Sequence, residues 1–237
     1  MLASCLPAIV PRRSNDEALQ VAAIYSVSGK ALPRAPNARP FRAPHHSASA
    51  ALIGGGSHPR PGEISLAHFG VLFLDELPKF SRSVLELLRE PLESGEIRLS
   101  RVAAQICYPA QLQFLTVMNP CPCSYLGSRK CHCTPDQIKR YRDKISGPLL
   151  DRIDLQVNVL AIDKQQLTHP QTAPRQADSA TMRRQINAAR QRQLERQNCL
   201  NSRLDEGSLR QYCPLDSSQT QLMHRAIDHY HLSTRGY

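Results

Sequence analysis

The sequence predicts an α/β protein: a parallel sheet with flanking helices, followed by a small all-helical domain. Two short apolar runs, 71–74 (VLFL) and 113–118 (QFLTVM), have the length and composition of buried strands. Capped helical segments alternate with these runs, as is typical of a sheet with crossover helices. We therefore expect an α/β core over 1–162, a polar linker over 163–180 and an incomplete helical lid over 181–237.

The other elements of the core follow from local signals. Ser14 and Thr134 each begin a capping box, which predicts a helix after each of them. A third helix is expected from Ser81 and should stop near Pro91. The segment 33–62 is rich in Pro, Gly, Arg and His and predicts an extended loop, with a short helix at SASAAL.

Two more β elements are expected beyond the first apolar run. The alternating pattern of GEIRLSRVAAQICYPAQLQF, residues 95–114, predicts a β-hairpin. The pattern of DLQVNVLAI, residues 154–162, predicts a further strand.

Composition narrows the choice of compartment and partner. Thirty Lys and Arg against 20 Asp and Glu give a formal charge of +10, which suits a polyanionic partner such as DNA. The apolar runs are too short to cross a bilayer, and the N-terminus does not have the order of a secretory signal, so we expect a cytoplasmic protein without a membrane partner. Eight cysteines in such a chain indicate reduced thiols or a metal site.

Two adjacent carboxylates, Asp75 and Glu76, end the first apolar strand. Ligands of parallel α/β sheets bind beyond the carboxyl ends of the strands, where both residues would project. Asp75 would hold Mg²⁺ through its water shell, and Glu76 would orient or deprotonate an attacking water molecule. The alternative is a buried strand that ends in a solvated acidic turn.

Two later residues fit the same chemistry. Asn119 ends the second apolar strand, and its amide could hydrogen-bond a phosphate oxygen and the attacking water. Arg152 follows the helical stretch SGPLL and could approach a γ-phosphate across a subunit boundary. The alternative for Arg152 is an ion pair with Asp151 or Asp154.

The segment CPCSYLGSRKCHC contains a possible zinc site. Cys121, Cys123, Cys131 and Cys133 offer four thiolates, the number that tetrahedral Zn²⁺ requires. The C-x-C spacing is tighter than the usual C-x₂-C, so free thiols or a redox-sensitive loop remain alternatives. His132 could replace one ligand.

Basic residues form two candidate surfaces for DNA. One is a predicted helix with five arginines: Arg183, Arg184, Arg190, Arg192 and Arg196. The other is the loop that carries Phe41 and three arginines, Arg39, Arg42 and Arg60, together with His45 and His46. Such groups would bind phosphates without sequence preference. The alternatives are a solvated helix face and a structural role at a subunit interface.

Taken in order, these motifs resemble one family. RPFRAPHHSASAALIGGG, PGEISLAHFGVLFLDELPKF, NPCPC and ISGPLLDRIDL resemble the magnesium-chelatase-like AAA+ ATPases of the ComM/YifB branch. The resemblance implies that Asp75 and Glu76 end the Walker B strand, that Asn119 is the sensor 1 residue and that Arg152 is an arginine finger. It also implies that Arg235, in LSTR, lies in the sensor 2 helix. ATP, Mg²⁺, DNA and a hexameric ring would be the cofactors and partners of the intact protein.

One expected motif is missing from the sequence. No G-x-x-x-x-G-K-[ST] phosphate loop occurs in the 237 residues, whereas MLAS at the start is similar to the helix that follows this loop in the family. The resemblance therefore implies a family member cut after its Walker A lysine and threonine, with ATP hydrolysis lost from the chain alone. We keep three functions open: part of an ATP-driven DNA helicase of branch migration, an inactive remnant or ring-interaction module, and a magnesium-chelatase-type ATPase subunit.

Overall fold

The computed structural model describes residues 2–33, 35, 37–55, 59–101, 104–159 and 178–230. The chain divides into two compact units, an α/β unit of residues 1–7 and 12–153 and a helical unit of residues 8–11 and 154–237. Most of the predicted linker, 163–180, lies outside the described residues. Within the described residues no helix combines the length and apolar character needed to cross a membrane.

The α/β unit contains seven helices and seven strands within its described residues. The helices are α1 Leu2–Cys5, α2 Asn15–Ser28, α3 Glu63–Leu66, α4 Arg82–Leu87, α5 Arg89–Ser94, α6 Pro135–Arg142 and α7 Gly147–Leu150. The strands are β1 Phe41–Arg42, β2 Gly54–Gly55, β3 Arg60–Pro61, β4 Val71–Leu74, β5 Glu96–Arg101, β6 Ala104–Pro109 and β7 Gln113–Thr116. Short 3₁₀ turns cover Leu6–Ala8, His46–Ala51 and Leu77–Lys79, and a fourth, Asn201–Arg203, lies in the helical unit.

The central sheet is parallel, as the sequence predicts. Its order is β1-β4-β7, so the VLFL strand lies in the middle. The register pairs Leu74 with Thr116 at the carboxyl ends of β4 and β7. Two smaller antiparallel pairs, β2-β3 and the predicted hairpin β5-β6, complete the β structure of the described residues.

The apolar core lies between this sheet, the hairpin and the helices that follow β4. Its side chains are almost fully buried and include Leu52, Ile64, Leu72, Leu74, Leu77, Phe80, Leu85, Leu88, Ile97, Leu99 and Leu149. The middle strand is buried on both sides, which explains its continuous apolar sequence. β7 is only half-buried, and Val117 and Met118 after it are exposed.

A glycine permits the close contact between β1 and β4. A Cβ atom at Gly70 would lie 2.1 Å from the carbonyl oxygen of Pro40, far inside van der Waals contact. The neighbouring N–H of Val71 donates to that same oxygen at 2.8 Å. Any side chain at position 70 would therefore displace β1, which lies within the PFRAPHHS loop, residues 40–47.

Both capping boxes are present. The Ser14 hydroxyl accepts from the N–H of Glu17, whose carboxylate accepts from the N–H of Ser14. Thr134 and Gln137 make the same pair of bonds at the start of α6. These bonds satisfy N–H groups that the first helical turn leaves unpaired.

Two local predictions are wrong. Pro91 does not stop the helix: α4 ends at Leu87, Leu88 keeps helical backbone angles, and a second helix, α5, begins at Arg89. Pro91 falls in the first turn of α5, where a missing N–H costs no hydrogen bond. Of the strand predicted over 154–162, residues 154–159 form neither helix nor strand, and Leu155 and Val157 are exposed; 160–162 lie outside the described residues. A strand needs a hydrogen-bonded neighbour, and no described strand pairs with this segment.

The helical unit contains α8 Ser179–Gln197, α9 Glu206–Tyr212 and α10 Ser217–Tyr230. Asp178 and Asp205 cap the first two helices through bonds to the N–H groups of Thr181 and Ser208. Among the described residues 178–230, Gln197 alone is buried. These helices thus depend on local capping signals, and nearly all of the described residues 178–230 are exposed or half-buried.

Candidate functional site

The carboxyl ends of β4 and β7 bring the predicted polar residues to one edge. Asp75 and Glu76 directly follow Leu74, and Asn119 lies three residues beyond Thr116. The two connections run side by side because the N–H of Leu77 donates to the carbonyl oxygen of Val117 at 3.1 Å. Asp75 is exposed, whereas Asn119 is half-buried.

Glu76 is held in an unusual backbone conformation. Its φ of 50° lies in the left-handed region, which L-residues avoid. The Glu76 N–H donates to the Asp75 carboxylate at 2.9 Å, and Lys79 donates to the Glu76 carboxylate at 2.7 Å. The hydrogen bond from Lys79 lowers the pKa of Glu76 below its usual value. The Glu76 carboxylate is thus stabilised in its charged form by its ion pair with Lys79.

Two histidines lie at the same edge and were not assigned to it from the sequence. A cavity of about 380 Å³ is lined by Asp75, Glu76 and Phe73 together with residues of the PFRAPHHS loop, Ala43, Pro44, His45 and His46. The two imidazole rings lie 3.9 Å apart. Since β1 runs parallel to β4, the loop after β1 has to leave at the same edge as the carboxylates. A two-residue strand is too short to be recognised from periodicity, so this signal was missed.

Arg152 lies at a different place. Its guanidinium donates to the Pro148 carbonyl oxygen at 2.7 Å and forms an ion pair with Glu93. The Arg152 side chain is 14% exposed and lines a second cavity of about 460 Å³, in which Arg89 and Glu86 also lie. The ion-pair partner of Arg152 is thus Glu93, far away in the sequence, and not the neighbouring Asp151 or Asp154. Arg235, the predicted sensor 2 residue, lies outside the described residues.

Two arginines of the basic loop make structural ion pairs. Arg42 donates twice to Glu63, at 2.5 and 2.8 Å, and Lys30 donates to the same carboxylate at 2.7 Å. Burial raises the pKa of Glu63, but hydrogen bonds from Arg42 and Lys30 outweigh it and leave the pKa below its usual value. Arg39 pairs with Glu17 at 2.9 Å. These contacts give Arg39 and Arg42 a structural role within the α/β unit, and they test neither DNA binding nor the predicted role at a subunit interface.

The four cysteines of the predicted zinc site lie together. Their Sγ atoms all fall within 4.8 Å of one another. Cys121 Sγ lies 3.4 Å from that of Cys123 and 3.9 Å from that of Cys131, and Cys123 Sγ lies 3.6 Å from that of Cys131. A tetrahedral ion with Zn–S bonds of about 2.3 Å places its sulfur atoms about 3.8 Å apart. The arrangement therefore has the dimensions of a single-ion tetrathiolate site.

The acidities of these thiols differ strongly. A hydrogen bond from the backbone of Tyr125 lowers the pKa of Cys123 to about 6. The backbone of Cys123 also favours the Cys133 thiolate, but hydrogen bonds and charge from the neighbouring thiols outweigh this and raise the pKa of Cys133 to about 12. Four thiolates this close repel one another, and a bound cation would remove that repulsion.

The parallel sheet with its flanking helices defines an α/β protein that carries polar residues at the carboxyl ends of its strands. Two family models match this chain: "Magnesium chelatase, subunit ChlI" over residues 1–167 and "Magnesium chelatase, subunit ChlI C-terminal" over residues 176–237. The chain belongs to the magnesium chelatase ChlI family. The family resemblance predicted from the sequence motifs is confirmed.

Similar proteins cover the full chain. It is 46% identical to YifB of Escherichia coli (strain K12) and 42% identical to the competence protein ComM of Haemophilus influenzae, each over 100% of this chain and 47% of the relative. It is 52% identical to Rv2897c of Mycobacterium tuberculosis over 67% of this chain and 32% of that protein. The chain thus spans about half the length of YifB and ComM.

Proposed function

We propose that this chain is part of a cytoplasmic AAA+ ATPase that binds ATP with Mg²⁺ at the edge formed by Asp75, Glu76 and Asn119. The intact protein would act as a hexameric DNA helicase that promotes branch migration. The observation that carries the nucleotide site is the parallel register of β4 and β7, which brings a carboxylate pair and an amide to one edge. The similarity to a competence protein and the charge of +10 support DNA as the partner.

Each residue has a chemical role in this proposal. Asp75 offers the hard oxygen ligands that Mg²⁺ prefers, and Mg²⁺ when bound would neutralise phosphate charge. Glu76, ionised beside Lys79, takes the proton of the attacking water. The Asn119 amide orients that water or a phosphate oxygen. Arg152 would serve the site of a neighbouring subunit, for which it has to exchange its Glu93 partner for phosphate.

The sequence lacks a glycine-rich phosphate loop, so the main source of phosphate-binding energy is not among these 237 residues. We therefore expect the purified 237-residue chain to bind nucleotide weakly and to hydrolyse no ATP. Hydrolysis above background that Glu76→Gln abolishes would contradict this expectation. The matched control is Glu90→Gln, an exposed glutamate elsewhere in the α/β unit.

The test of the site itself is Mg²⁺-dependent binding of a fluorescent ADP analogue at high protein concentration. Asp75→Asn should abolish the Mg²⁺-dependent part of the signal, because the hydrated metal loses the carboxylate that holds its water shell. Asp136→Asn, on the exposed start of α6, should leave it unchanged. Equal signals from wild type and Asp75→Asn would remove the basis of the proposal.

A second candidate is a non-hydrolysing module that joins or caps rings of a full-length relative through Arg152. This function predicts co-purification with such a relative and loss of that relative's ATPase activity. An unaffected relative would exclude it. A magnesium-chelatase-type subunit, the third candidate, would differ from both in requiring a porphyrin partner and no DNA.

We also propose that Cys121, Cys123, Cys131 and Cys133 bind one Zn²⁺. The sulfur separations carry this proposal, since they fit one tetrahedral ion, whereas a four-iron cluster lies between its thiolates and holds them further apart. Metal analysis of protein purified without chelator should find about one zinc per chain. Less than about half an equivalent of zinc, or iron in its place, would overturn the assignment.

A further inference from the structure

We infer that the zinc-closed cysteine loop, residues 121–133, is a clip that fixes Asn119 beside the carboxylates. The inference rests on the zinc site proposed above and not on ATP binding. It makes the four cysteines positioning residues, which act on the edge of the sheet through Asn119 and contact no nucleotide.

The loop leaves the sheet directly after Asn119. Cys121 lies two residues further on and is fully buried. Three tight turns then reverse the chain, with hydrogen bonds from Ser124 N–H to Cys121 O, from Ser128 N–H to Tyr125 O and from Cys131 N–H to Ser128 O. Left-handed backbone at Ser124 and Gly127 makes these turns possible. The turns bring Cys131 back to Cys121, with the two Sγ atoms 3.9 Å apart.

The second half of the clip returns to Asn119. Thr134 follows Cys133 immediately and caps α6. In the last turn of α6, Arg142 donates through Nε and Nη2 to the Pro120 carbonyl oxygen at 3.4 and 3.2 Å. The chain segment is thus closed at Pro120 and again at the thiols.

The same stretch of chain is also tied to the carboxylates. The N–H of Leu77, the residue after Glu76, donates to the carbonyl oxygen of Val117 at 3.1 Å. A shift of α6 would move Pro120 and, through it, Asn119 relative to Glu76.

The metal decides how firmly the clip is held. Without it, the middle of the clip depends on S–H contacts, which are weak hydrogen bonds, and on exposed turns. Zinc–thiolate bonds contribute folding free energy directly, so they make the position of α6 relative to β7 depend on metal occupancy. Asn119 should accordingly be ordered in the zinc-loaded protein and mobile in the zinc-free protein.

Hydrogen–deuterium exchange of the full 237-residue chain tests this inference. Removal of zinc with a strong chelator should accelerate exchange roughly tenfold or more in 117–120 and in 135–142, and not in the hairpin β5-β6. The double variant Cys123→Ser/Cys131→Ser should behave like the chelated protein. Cys107→Ser, which changes an exposed cysteine, should retain zinc and normal exchange.

A second variant tests whether the contact between α6 and Pro120, in addition to the closed loop, positions Asn119. Arg142→Leu removes the bonds to Pro120 and leaves all four cysteines, so zinc should remain bound while exchange in 117–120 accelerates. If either treatment accelerates exchange in 121–133 alone, the loop is closed but does not position Asn119, and the inference fails. Protein that contains no zinc overturns the inference together with the zinc proposal and leaves the nucleotide proposal intact.

Discussion

The two candidate sites of the α/β unit are assembled in opposite ways. The cysteine loop supplies all four ligands from residues 121–133, already within 4.8 Å of one another. The carboxylate edge, which comprises Asp75, Glu76, Asn119, His45 and His46, combines three chain segments that only the sheet brings together. The first site is built by local turns and the second by tertiary packing. A mutation in the core should therefore disturb the carboxylate edge and leave the cysteine loop intact.

The largest effect should come from the core beneath the carboxylate edge. Phe80 is 2% exposed. It directly follows the 3₁₀ turn Leu77–Lys79, which comes after Glu76. Phe80→Ala should destabilise the α/β unit by about 3–5 kcal/mol, because it leaves a cavity that the core cannot fill. Urea unfolding measures the loss, and the zinc content of the folded protein should not change.

Leu87→Ala is the matched control for Phe80→Ala. Leu87 is 50% exposed on α4, so its truncation should cost much less. Equal losses for both variants would contradict the account of the core. Loss of zinc from folded Phe80→Ala protein would show that the zinc site depends on the core and not on local turns alone.

A smaller effect is expected at the ion pairs that support the PFRAPHHS loop. Glu63→Gln should cost about 1–3 kcal/mol at pH 7, because Arg42 and Lys30 keep their charges and lose a shared carboxylate. The pKa of Glu63 is lowered in the folded protein, so its contribution is present above the unfolded pKa of about 4.3 and is lost as pH falls through the folded pKa.

Unfolding of wild type and Glu63→Gln at pH 7 and near pH 3 tests that sign. The difference between the two proteins should shrink at the acidic pH. A difference that grows on acidification would mean that Glu63 is not stabilised as a carboxylate. Glu90→Gln, at an exposed position, is expected to show no such difference.

A still smaller effect is expected where Arg152 pairs with Glu93. Glu93 is 56% exposed, and ion pairs of this kind contribute about 0–1 kcal/mol. Glu93→Gln should therefore lower the free energy of unfolding by less than about 1 kcal/mol, and 1 M NaCl should remove most of the difference. A loss above about 3 kcal/mol would mean that Arg152 has a structural role.

The smallest change in stability is expected at Asp75. Its side chain is exposed, and its carboxylate accepts one described hydrogen bond, from the N–H of the adjacent Glu76. Asp75→Asn can keep that bond, so the free energy of unfolding should change by no more than about 0.5 kcal/mol. A large loss in urea unfolding would mark Asp75 as structural.

Signals that act over a few residues were predictable from the sequence. The capping boxes at Ser14 and Thr134 and the buried VLFL strand are set by neighbours in the chain, and all three are present. The pairing of Arg152 with Glu93 joins residues far apart in sequence, and no periodic pattern encodes it. His45 and His46 reach the carboxylates only because a two-residue strand pairs with β4.

Paramagnetic broadening by Mn²⁺, used in place of Mg²⁺ together with ATP, tests the carboxylate edge most directly. Amide signals of 43–46, 75–76 and 117–119 should broaden together in the wild-type chain. Asp75→Asn should abolish this broadening, while Asp136→Asn should retain it. Broadening confined to other surfaces, or unchanged by Asp75→Asn, would contradict a shared metal–nucleotide site at this edge.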